Sequence, residues 1–154
     1  MQSIVLASAS PRRAELLRQI GLSFLVQPAD IDETPASNES AEHYVERLAR
    51  EKALAGSASK PGCLVIGSDT SVVLEGRILG KPDTTGDATV MLQALSGTTH
   101  QVMTGVAVVH KGICESRLVI ANVRFRELLA AEIDAYVATG EPMDKAGGYG
   151  IQGR

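Results

Sequence analysis

The chain has 154 residues, of which 44% are hydrophobic and 21% are charged, and its formal net charge is −3. This length allows one domain that buries about 68–70% of the unfolded chain's surface, so the fold needs no covalent or metal staple. The acidic balance and the scarcity of aromatic residues, with no tryptophan, argue against a nucleic-acid or membrane surface. Arginine and lysine clustered locally in such a chain favour a small anionic ligand instead.

The same observations predict a cytoplasmic protein. The N-terminus lacks the charged-then-apolar pattern of a signal peptide, and no apolar run is long enough to span a bilayer. Cys63 and Cys114 lie in apolar runs without metal-ligand spacing, which is typical of buried thiols in a reducing compartment.

The chain opens with a predicted strand followed directly by a helix. Residues 4–7 form an apolar run, and residues 14–20 have the apolar spacing of a helix that ends at Gly21. Ser10 is a suitable N-cap, and Pro11 occupies a first-turn position where proline costs no backbone hydrogen bond.

Two hydroxyls and two arginines, from Ser8, Ser10, Arg12 and Arg13, gather at this junction. The unpaired N–H groups and the positive dipole end of a helix N-terminus favour an anion there. Arginine adds planar, bidentate donors that suit phosphate. A capped helix with solvated arginines is the alternative, but the clustering in one turn favours phosphate binding.

Periodic segments predict the rest of the fold in chain order. The predicted strands are 22–26, 63–67, 71–74 with 77–79 as a hairpin, and a long antiparallel pair, 102–109 with 114–125. The predicted helices run from 41 to 54 after the cap Ser40, from 86 to 95 after a threonine cap, and from 130 to 138. An acidic loop occupies residues 27–40, and a run rich in glycine and serine, residues 56–62, is expected to follow the second helix.

The apolar run 63–67 predicts a buried strand of the parallel kind. We expect it to end at the polar residues Ser68, Asp69 and Thr70. Open α/β sheets place their ligands at the carboxyl ends of strands, so these residues are candidates for ligand binding. Asp69 is therefore the charge that is hardest to assign to the solvated surface.

Carboxylates and cations together predict a polyphosphate site. The carboxylates are Asp32, Glu33 and Asp69, and the cations are Arg12, Arg13, Lys52 and Lys81. A divalent metal and cations neutralise phosphate charge, and a carboxylate can activate water. Salt bridges among solvated side chains are the alternative for any one of these charges.

The motifs, taken together, resemble the Maf family of nucleoside triphosphate pyrophosphatases. They are residues 7–13, Asp32-Glu33, Glu51-Lys52-Ala53, residues 67–70, Gly80-Lys81-Pro82, residues 96–102 and residues 144–153. They occur in family order over the whole chain.

The resemblance implies an α/β fold like that of inosine triphosphatases: an elongated mixed β-sheet flanked by helices, with two lobes and a central cleft. The implied reaction is hydrolysis between the α- and β-phosphates, with Mg²⁺ or Mn²⁺ as cofactor. By matching positions, Asp69 would be the proton acceptor and a metal neighbour, and Glu33 would help hold the metal. The triphosphate would be bound by Ser8, Arg13, Lys52 and Lys81.

Three positions, Arg12, Thr70 and Gln152, distinguish subfamilies, and here they resemble the branch that acts on dTTP and UTP. The branch that acts on 7-methyl-GTP has an aromatic residue, a glutamine and an acid there. Gln152 offers both a donor and an acceptor, which suits the O4 and N3–H edge of uracil or thymine.

Other implications of the resemblance concern the chain as a whole. We expect residues 1–154 to form a single Maf-like domain that ends before the family's C-terminal segment, and a possible homodimer. Two alternative functions stay open: a non-catalytic nucleotide-binding regulator of septum formation, since the family is associated with arrest of cell division, and a 7-methyl-GTP-type pyrophosphatase.

Overall fold

A computed structural model describes residues 3–8 and 10–140 of the chain. The strands are β1 Ile4–Leu6, β2 Leu25–Val26, β3 Leu64–Leu74, β4 Arg77–Leu79, β5 Thr99–His110 and β6 Ile113–Arg124. The helices are α1 Pro11–Gln19, α2 Ala41–Ser59, α3 Thr85–Leu95 and α4 Ala130–Ala138. Within these residues one mixed sheet has the order β2-β1-β3-β5-β6, and β4 pairs with β3. The predicted α/β class, a mixed sheet with helices, is confirmed.

The chain divides into two compact units within β3. One unit contains the residues up to 69 together with 104–119, and the other contains 70–103 and the residues from 120 onwards. The central cleft that the resemblance implies, and the assignment of the whole chain to one domain, stay predictions.

In the first unit, β1 is parallel to both of its neighbours. Val5 pairs with Leu25 of β2 and with Val65 of β3. The predicted strand 22–26 is therefore wrong in its first part, since pairing with β1 begins at Leu25. Both residues are exposed, so this edge strand contributes little to the core.

Helix α2 covers the sheet of this unit at very short range. Its fully buried residues are Val45, Leu48, Ala49 and Ala53. A Cβ at Gly67 of β3 would lie 2.5 Å from the Ala49 carbonyl oxygen, and one at Gly105 of β5 would lie 2.8 Å from the Val45 carbonyl oxygen. The two glycines therefore let the helix backbone rest directly on the strands.

Helix α2 is longer than predicted. The structure continues it to Ser59, through the Gly56 at which the sequence predicts a break. Packing explains the difference, since Gly56 is buried and a Cβ there would lie 2.8 Å from Val65 Cγ1. Tertiary contact outweighs the weak helix propensity of glycine at this point.

In the second unit, β3 and β4 form the predicted hairpin, with Leu74 opposite Arg77 and positive φ at both turn residues, Glu75 and Gly76. The sequence allows either Thr84 or Thr85 as the cap of α3, and the structure shows Thr84, whose Oγ1 accepts a hydrogen bond from Asp87 N at 3.0 Å. Helices α3 and α4 pack through four buried residues, Ala88, Leu92, Ile133 and Val137.

Cys63 and Cys114 are free thiols. Both are half-buried, so the predicted full burial is wrong, although each packs against the edge of an apolar cluster of the first unit. Across the described residues, no helix combines the length and the apolar character that crossing a membrane requires.

Candidate active site

The junction of β1 and α1 forms a connected turn, as its residue types predict. Ser10 caps α1 by accepting from Arg13 N at 3.3 Å, and Ser10 N donates to Ser8 Oγ at 3.1 Å. Ser8 is 6% exposed. Arg13 Nη1 donates to Ser8 Oγ at 3.2 Å and to the Ser68 carbonyl oxygen at 3.3 Å. The guanidinium of Arg13 is thereby held against the start of the helix and against β3.

Burial lowers the pKa of Arg13, and the Asp69 carboxylate opposes that shift. An arginine side chain stays protonated at any physiological pH, so the turn carries a fixed, partly desolvated positive charge. Arg12 is exposed in the first turn of α1.

Asp69 lies in the middle of β3 and not at its carboxyl end, so the prediction that the strand ends at residues 68–70 is wrong. The strand continues to Leu74 because its second half pairs with β4. It is the neighbouring β1 that ends here, since Ile66 is the last residue of β3 paired with it. Asp69 therefore follows the end of β1 on the sheet, where Ser8 also lies.

Asp69 is 8% exposed, and one of its two carboxylate oxygens has a hydrogen-bond partner among the described residues. Oδ1 accepts from Lys52 Nζ at 3.2 Å. Oδ2 is buried and has no hydrogen-bond partner among the described residues. Burial raises the pKa of Asp69, while the positive charges of Lys52 and Arg13 hold that increase back. A buried, unsatisfied carboxylate oxygen is costly, so its presence indicates a ligand or a proton-transfer role.

Lys52 joins the two predicted metal-binding carboxylates. Its Nζ lies 3.2 Å from Asp69 Oδ1 and 3.7 Å from Glu33 Oε2. The Lys52 side chain is 13% exposed and that of Glu33 is 54% exposed. Lys52 reaches β3 because Gly67 and Gly105 let α2 approach the sheet so closely.

The donor set fits a divalent cation that is bound together with a polyphosphate. Among the described residues no three histidine, cysteine or acidic side chains converge on one point, so the chain offers no closed metal cage. Glu33 and Asp69 supply carboxylate oxygens, and Asp69 Oδ2 has the spare coordinating capacity. Hard cations such as Mg²⁺ take their remaining ligands from water and substrate phosphates.

The other predicted residues are not brought to this cluster by the contacts within the first unit. Thr70 and Lys81 belong to the second unit, and Lys81 is exposed after β4. Gln152 lies outside the described residues. The roles of these three residues stay predictions.

Sequence reasoning missed two residues that hold the site, Tyr44 and Arg47, and the structural role of a third, Ser68. Ser68 Oγ donates to the Gly105 carbonyl oxygen at 2.9 Å, which ties β3 to β5 beside Asp69. Tyr44 and Arg47 of α2 contact the loop that carries Glu33. Their helical spacing from Lys52 was the available signal, because residues 44, 47 or 48, and 51 or 52 share one helix face.

The fold and this cluster define a mixed α/β protein in which buried and half-buried charges meet beside a helix N-terminus. The Maf-like protein family model matches residues 3–154. The chain belongs to the Maf-like family.

Curated relatives share about half of their residues with this chain. A dTTP/UTP pyrophosphatase of Alcanivorax borkumensis is 55% identical over 152 residues, which is 97% of this chain and 79% of that protein. Those of Moorella thermoacetica and Salmonella typhimurium are 52% and 54% identical over the full length of this chain, which covers 80% and 79% of theirs. The chain thus spans about four-fifths of the length of these relatives.

Solved structures share the fold at much lower identity. A nucleoside-triphosphatase, described as a dITP/XTP pyrophosphatase, from Mycobacterium abscessus has a TM-score of 0.53 at 17% identity, covering 90% of this chain and 95% of its own. A HAM1 protein from Coxiella burnetii has a TM-score of 0.53 at 19% identity, covering 99% and 89%.

Proposed function

We propose that the protein is a nucleoside triphosphate pyrophosphatase that hydrolyses dTTP and UTP to the monophosphate and pyrophosphate. Relatives that carry this activity in their names, at 52–55% identity, support the proposal for almost the whole chain. The single structural observation that carries it is Asp69, a buried carboxylate with one oxygen on Lys52 and the other unpartnered among the described residues.

In the proposed reaction, water attacks the α-phosphorus and Asp69 accepts a proton from it. A bond forms between the water oxygen and the α-phosphorus, and the bond from that phosphorus to the bridging oxygen breaks. The bridging oxygen leaves with pyrophosphate. The raised pKa of Asp69 makes its carboxylate a stronger base than an exposed aspartate.

The cations would bind and orient the triphosphate. Arg13 is fixed beside Ser8 at the helix N-terminus, and Lys52 is fixed beside Asp69. We assign phosphate binding to Ser8, Arg13, Lys52 and Lys81. Glu33 and Asp69 would hold Mg²⁺ or Mn²⁺, which supplies neutralisation of the phosphate charge when bound.

Base selection is assigned to Arg12, Thr70 and Gln152. This assignment follows the family resemblance at those positions. The amide of Gln152 can donate to O4 and accept from N3–H of thymine or uracil, whereas a carboxylate there would only accept.

A nucleotide panel tests the activity directly. Pyrophosphate release from dTTP, UTP and 7-methyl-GTP is measured with Mg²⁺ or Mn²⁺, using added inorganic pyrophosphatase and phosphate detection. We expect turnover of dTTP and UTP. Turnover of 7-methyl-GTP alone would reject the assigned specificity.

The substitution Asp69→Asn tests the proton acceptor. We expect it to lower kcat by about 10²–10⁴-fold, since it removes the general base. Binding of dTTP, measured by calorimetry, should be retained. Asp134→Asn, on an exposed position of α4, is the matched control and should keep wild-type activity. If the wild-type protein binds dTTP without releasing pyrophosphate, the regulator hypothesis gains support and the enzyme hypothesis fails.

We also propose a cytoplasmic location and a homodimer, both of which the sequence predicts or the resemblance implies. Cell fractionation tests the location. Sedimentation of the purified protein tests the assembly, and a single species of monomer mass would reject the dimer.

A further inference from the structure

We propose that Tyr44 and Arg47 are positioning residues that fasten the loop carrying Glu33 to α2, so that Glu33 and Asp69 bind one divalent cation together. This inference rests on the proposed function in taking Glu33 and Asp69 as the metal-binding carboxylates. We call residues 32–39, together with the two α2 side chains, the loop clamp.

The loop needs such a device because it has no regular structure of its own. Residues 27–36 form neither helix nor strand. The Glu33 side chain is 54% exposed, whereas the Asp69 side chain opposite Lys52 is 11% exposed. The position of the Asp69 carboxylate is thus set by the sheet, whereas the position of the Glu33 carboxylate depends on the contacts that order the loop.

Tyr44 binds the backbone of Glu33 itself. Its hydroxyl donates to the Glu33 carbonyl oxygen at 2.6 Å. The tyrosine is 8% exposed, so its ring is fixed in the packed face of α2. A hydrogen bond from this buried ring therefore restricts where the Glu33 carbonyl can lie.

Arg47 binds the loop on both sides of its turn. Nη2 donates to the Thr34 carbonyl oxygen at 3.3 Å, and Nε and Nη2 donate to the two Glu39 carboxylate oxygens at 2.6 and 2.9 Å. The Glu39 carboxylate also accepts from Ala36 N at 2.9 Å. The guanidinium lies over the Tyr44 ring, with its Cζ 5.6 Å from the ring centroid.

These bonds are not required to start the helix. Ser40 already caps α2 by accepting from His43 N at 3.1 Å, and Tyr44 N donates to the Ser40 carbonyl oxygen at 2.9 Å. Tyr44 and Arg47 instead donate hydrogen bonds to the carbonyl groups of Glu33 and Thr34, which lie outside the helix. Lys52, on the same helix, lies 3.7 Å from Glu33 Oε2, and the Glu33 side chain is 54% exposed. Helix α2 therefore fixes the backbone of Glu33 and places a positive charge near its carboxylate.

Partners that orient a metal ligand without touching the metal are worth about 10–100-fold in metal affinity. The test variants are Tyr44→Phe, which removes only the hydroxyl, and Arg47→Lys, which keeps the charge but loses the fork. Tyr136→Phe and Arg50→Lys are matched controls. Arg50 is also on α2, but its Nη1 donates to Ser116 Oγ.

Three measurements are made on each variant of the 154-residue chain. The first is binding of Mn²⁺ alone, followed by electron paramagnetic resonance. The second is hydrogen exchange of the amides in residues 33–39. The third is the Mg²⁺ concentration for half-maximal dTTP hydrolysis, compared with the KM for dTTP at saturating Mg²⁺.

We expect Tyr44→Phe and Arg47→Lys to weaken Mn²⁺ binding about tenfold and to speed exchange in residues 33–39. The Mg²⁺ midpoint should rise by a similar factor, with the KM for dTTP changed by less than about twofold. Both controls should behave as wild type. Should Tyr44→Phe bind Mn²⁺ as tightly as wild type, or raise KM without moving the Mg²⁺ midpoint, the clamp has no positioning role.

The outcomes separate this inference from the proposed function. If the wild-type protein releases no pyrophosphate, the proposed function fails, and Mn²⁺ binding and exchange still decide the clamp. If Arg47→Lys does not fold, Tyr44→Phe alone decides it.

Discussion

At the scale of single residues, Lys52 is the side chain that lies between the two carboxylates of the candidate site, Glu33 and Asp69. Its ammonium nitrogen lies 3.7 Å from Glu33 Oε2 and 3.2 Å from Asp69 Oδ1. A lysine between two carboxylates offsets their mutual repulsion and lowers the cost of burying Asp69. We propose that the same ammonium group offsets the negative charge of the bound triphosphate.

We expect Lys52→Met to lower kcat/KM for dTTP by about 10²-fold or more, because it removes a preorganised positive charge from the site. Steady-state kinetics measures the loss. Lys60→Met, at an exposed position just after α2, should leave kcat/KM unchanged. Wild-type kinetics in Lys52→Met would remove Lys52 from the phosphate-binding residues.

The Glu39 carboxylate makes the stability of the fold depend on pH in the acid range. Hydrogen bonds from Arg47 and from Ala36 N, with a further contact from His43 Nδ1, lower the pKa of Glu39 to about 2. A carboxylate with a depressed folded-state pKa stabilises the fold above its unfolded pKa. That stabilisation is lost as the pH falls from about 4.3 towards 2.

Glu39→Gln should therefore lower Tm at pH 6 and flatten the fall in Tm between pH 5 and about pH 2, relative to wild type. Thermal unfolding followed by circular dichroism at a series of pH values measures both effects. Glu42→Gln, at an exposed position of α2, is the control. An unchanged pH dependence in Glu39→Gln would show that the carboxylate is not coupled to folding.

At the scale of elements, the contact between α2 and the sheet sets the reach of the helix side chains. Gly67 of β3 and Gly105 of β5 remove the side chains that would separate the two layers. A helix resting on the strand backbone brings Lys52 to 3.2 Å from Asp69, two residues along β3 from Gly67. The close packing of α2 against these two glycines thus sets the position of Lys52 beside Asp69.

We expect Gly67→Ala to destabilise the protein by about 1–3 kcal/mol, because the new Cβ would meet backbone atoms of Ala49 and Ala53 at 2.5–2.6 Å. Activity should fall as well, since α2 must move away from β3. Denaturant unfolding and dTTP kinetics measure the two losses. Gly86→Ala is the control, because its Cβ would meet only Thr84 Oγ1 at 3.6 Å. Equal stability of the two variants would contradict the close contact.

The sequence predicted the elements better than it predicted their ends. Caps at Ser10, Ser40 and Thr84 are local, so they could be identified from residue type and spacing. The continuation of α2 through Gly56 and of β3 through Asp69 depends on partners distant in sequence. Local pattern contains no information about such partners.

The site follows the same rule. The pattern of hydroxyls and charges, together with the family resemblance, predicted Ser8, Arg13, Lys52 and Asp69 as site residues. In the first unit, hydrogen bonds join Arg13 to Ser8 and Lys52 to Asp69, and Arg13 also bonds the carbonyl of Ser68, the neighbour of Asp69. The support from Tyr44 and Arg47 was not predicted, because an α2 tyrosine with apolar neighbours is indistinguishable from a core residue until the loop it binds is located.

At the scale of the whole molecule, the chain has two compact units and spans about four-fifths of the length of its curated relatives. A bound nucleotide would stabilise the native state by mass action, whichever residues contact it. Ligand-linked unfolding is therefore a readout that involves the entire protein.

We expect dTTP at about 100 times its Kd to stabilise Asp69→Asn by about 2.7 kcal/mol, which corresponds to a rise in Tm of roughly 5–10 °C. The inactive variant is used so that the nucleotide is not consumed during the scan. Differential scanning fluorimetry with Mg²⁺ measures the shift. 7-Methyl-GTP at the same concentration should give a smaller one, and the reverse order would contradict the dTTP/UTP assignment.

The location of Asp69 within a paired strand has a consequence for how this protein can evolve. Its carboxylate and the Lys52 amine are set by a sheet and a packed helix, whereas Arg12 projects from the exposed first turn of α1. Changes at Arg12 can therefore accumulate at little cost to the contact between Lys52 and Asp69. With the base-selecting role that we propose for Arg12 and the catalytic role that we propose for Asp69, nucleobase preference would drift among descendants, or be selected in a laboratory library, without loss of the hydrolytic site.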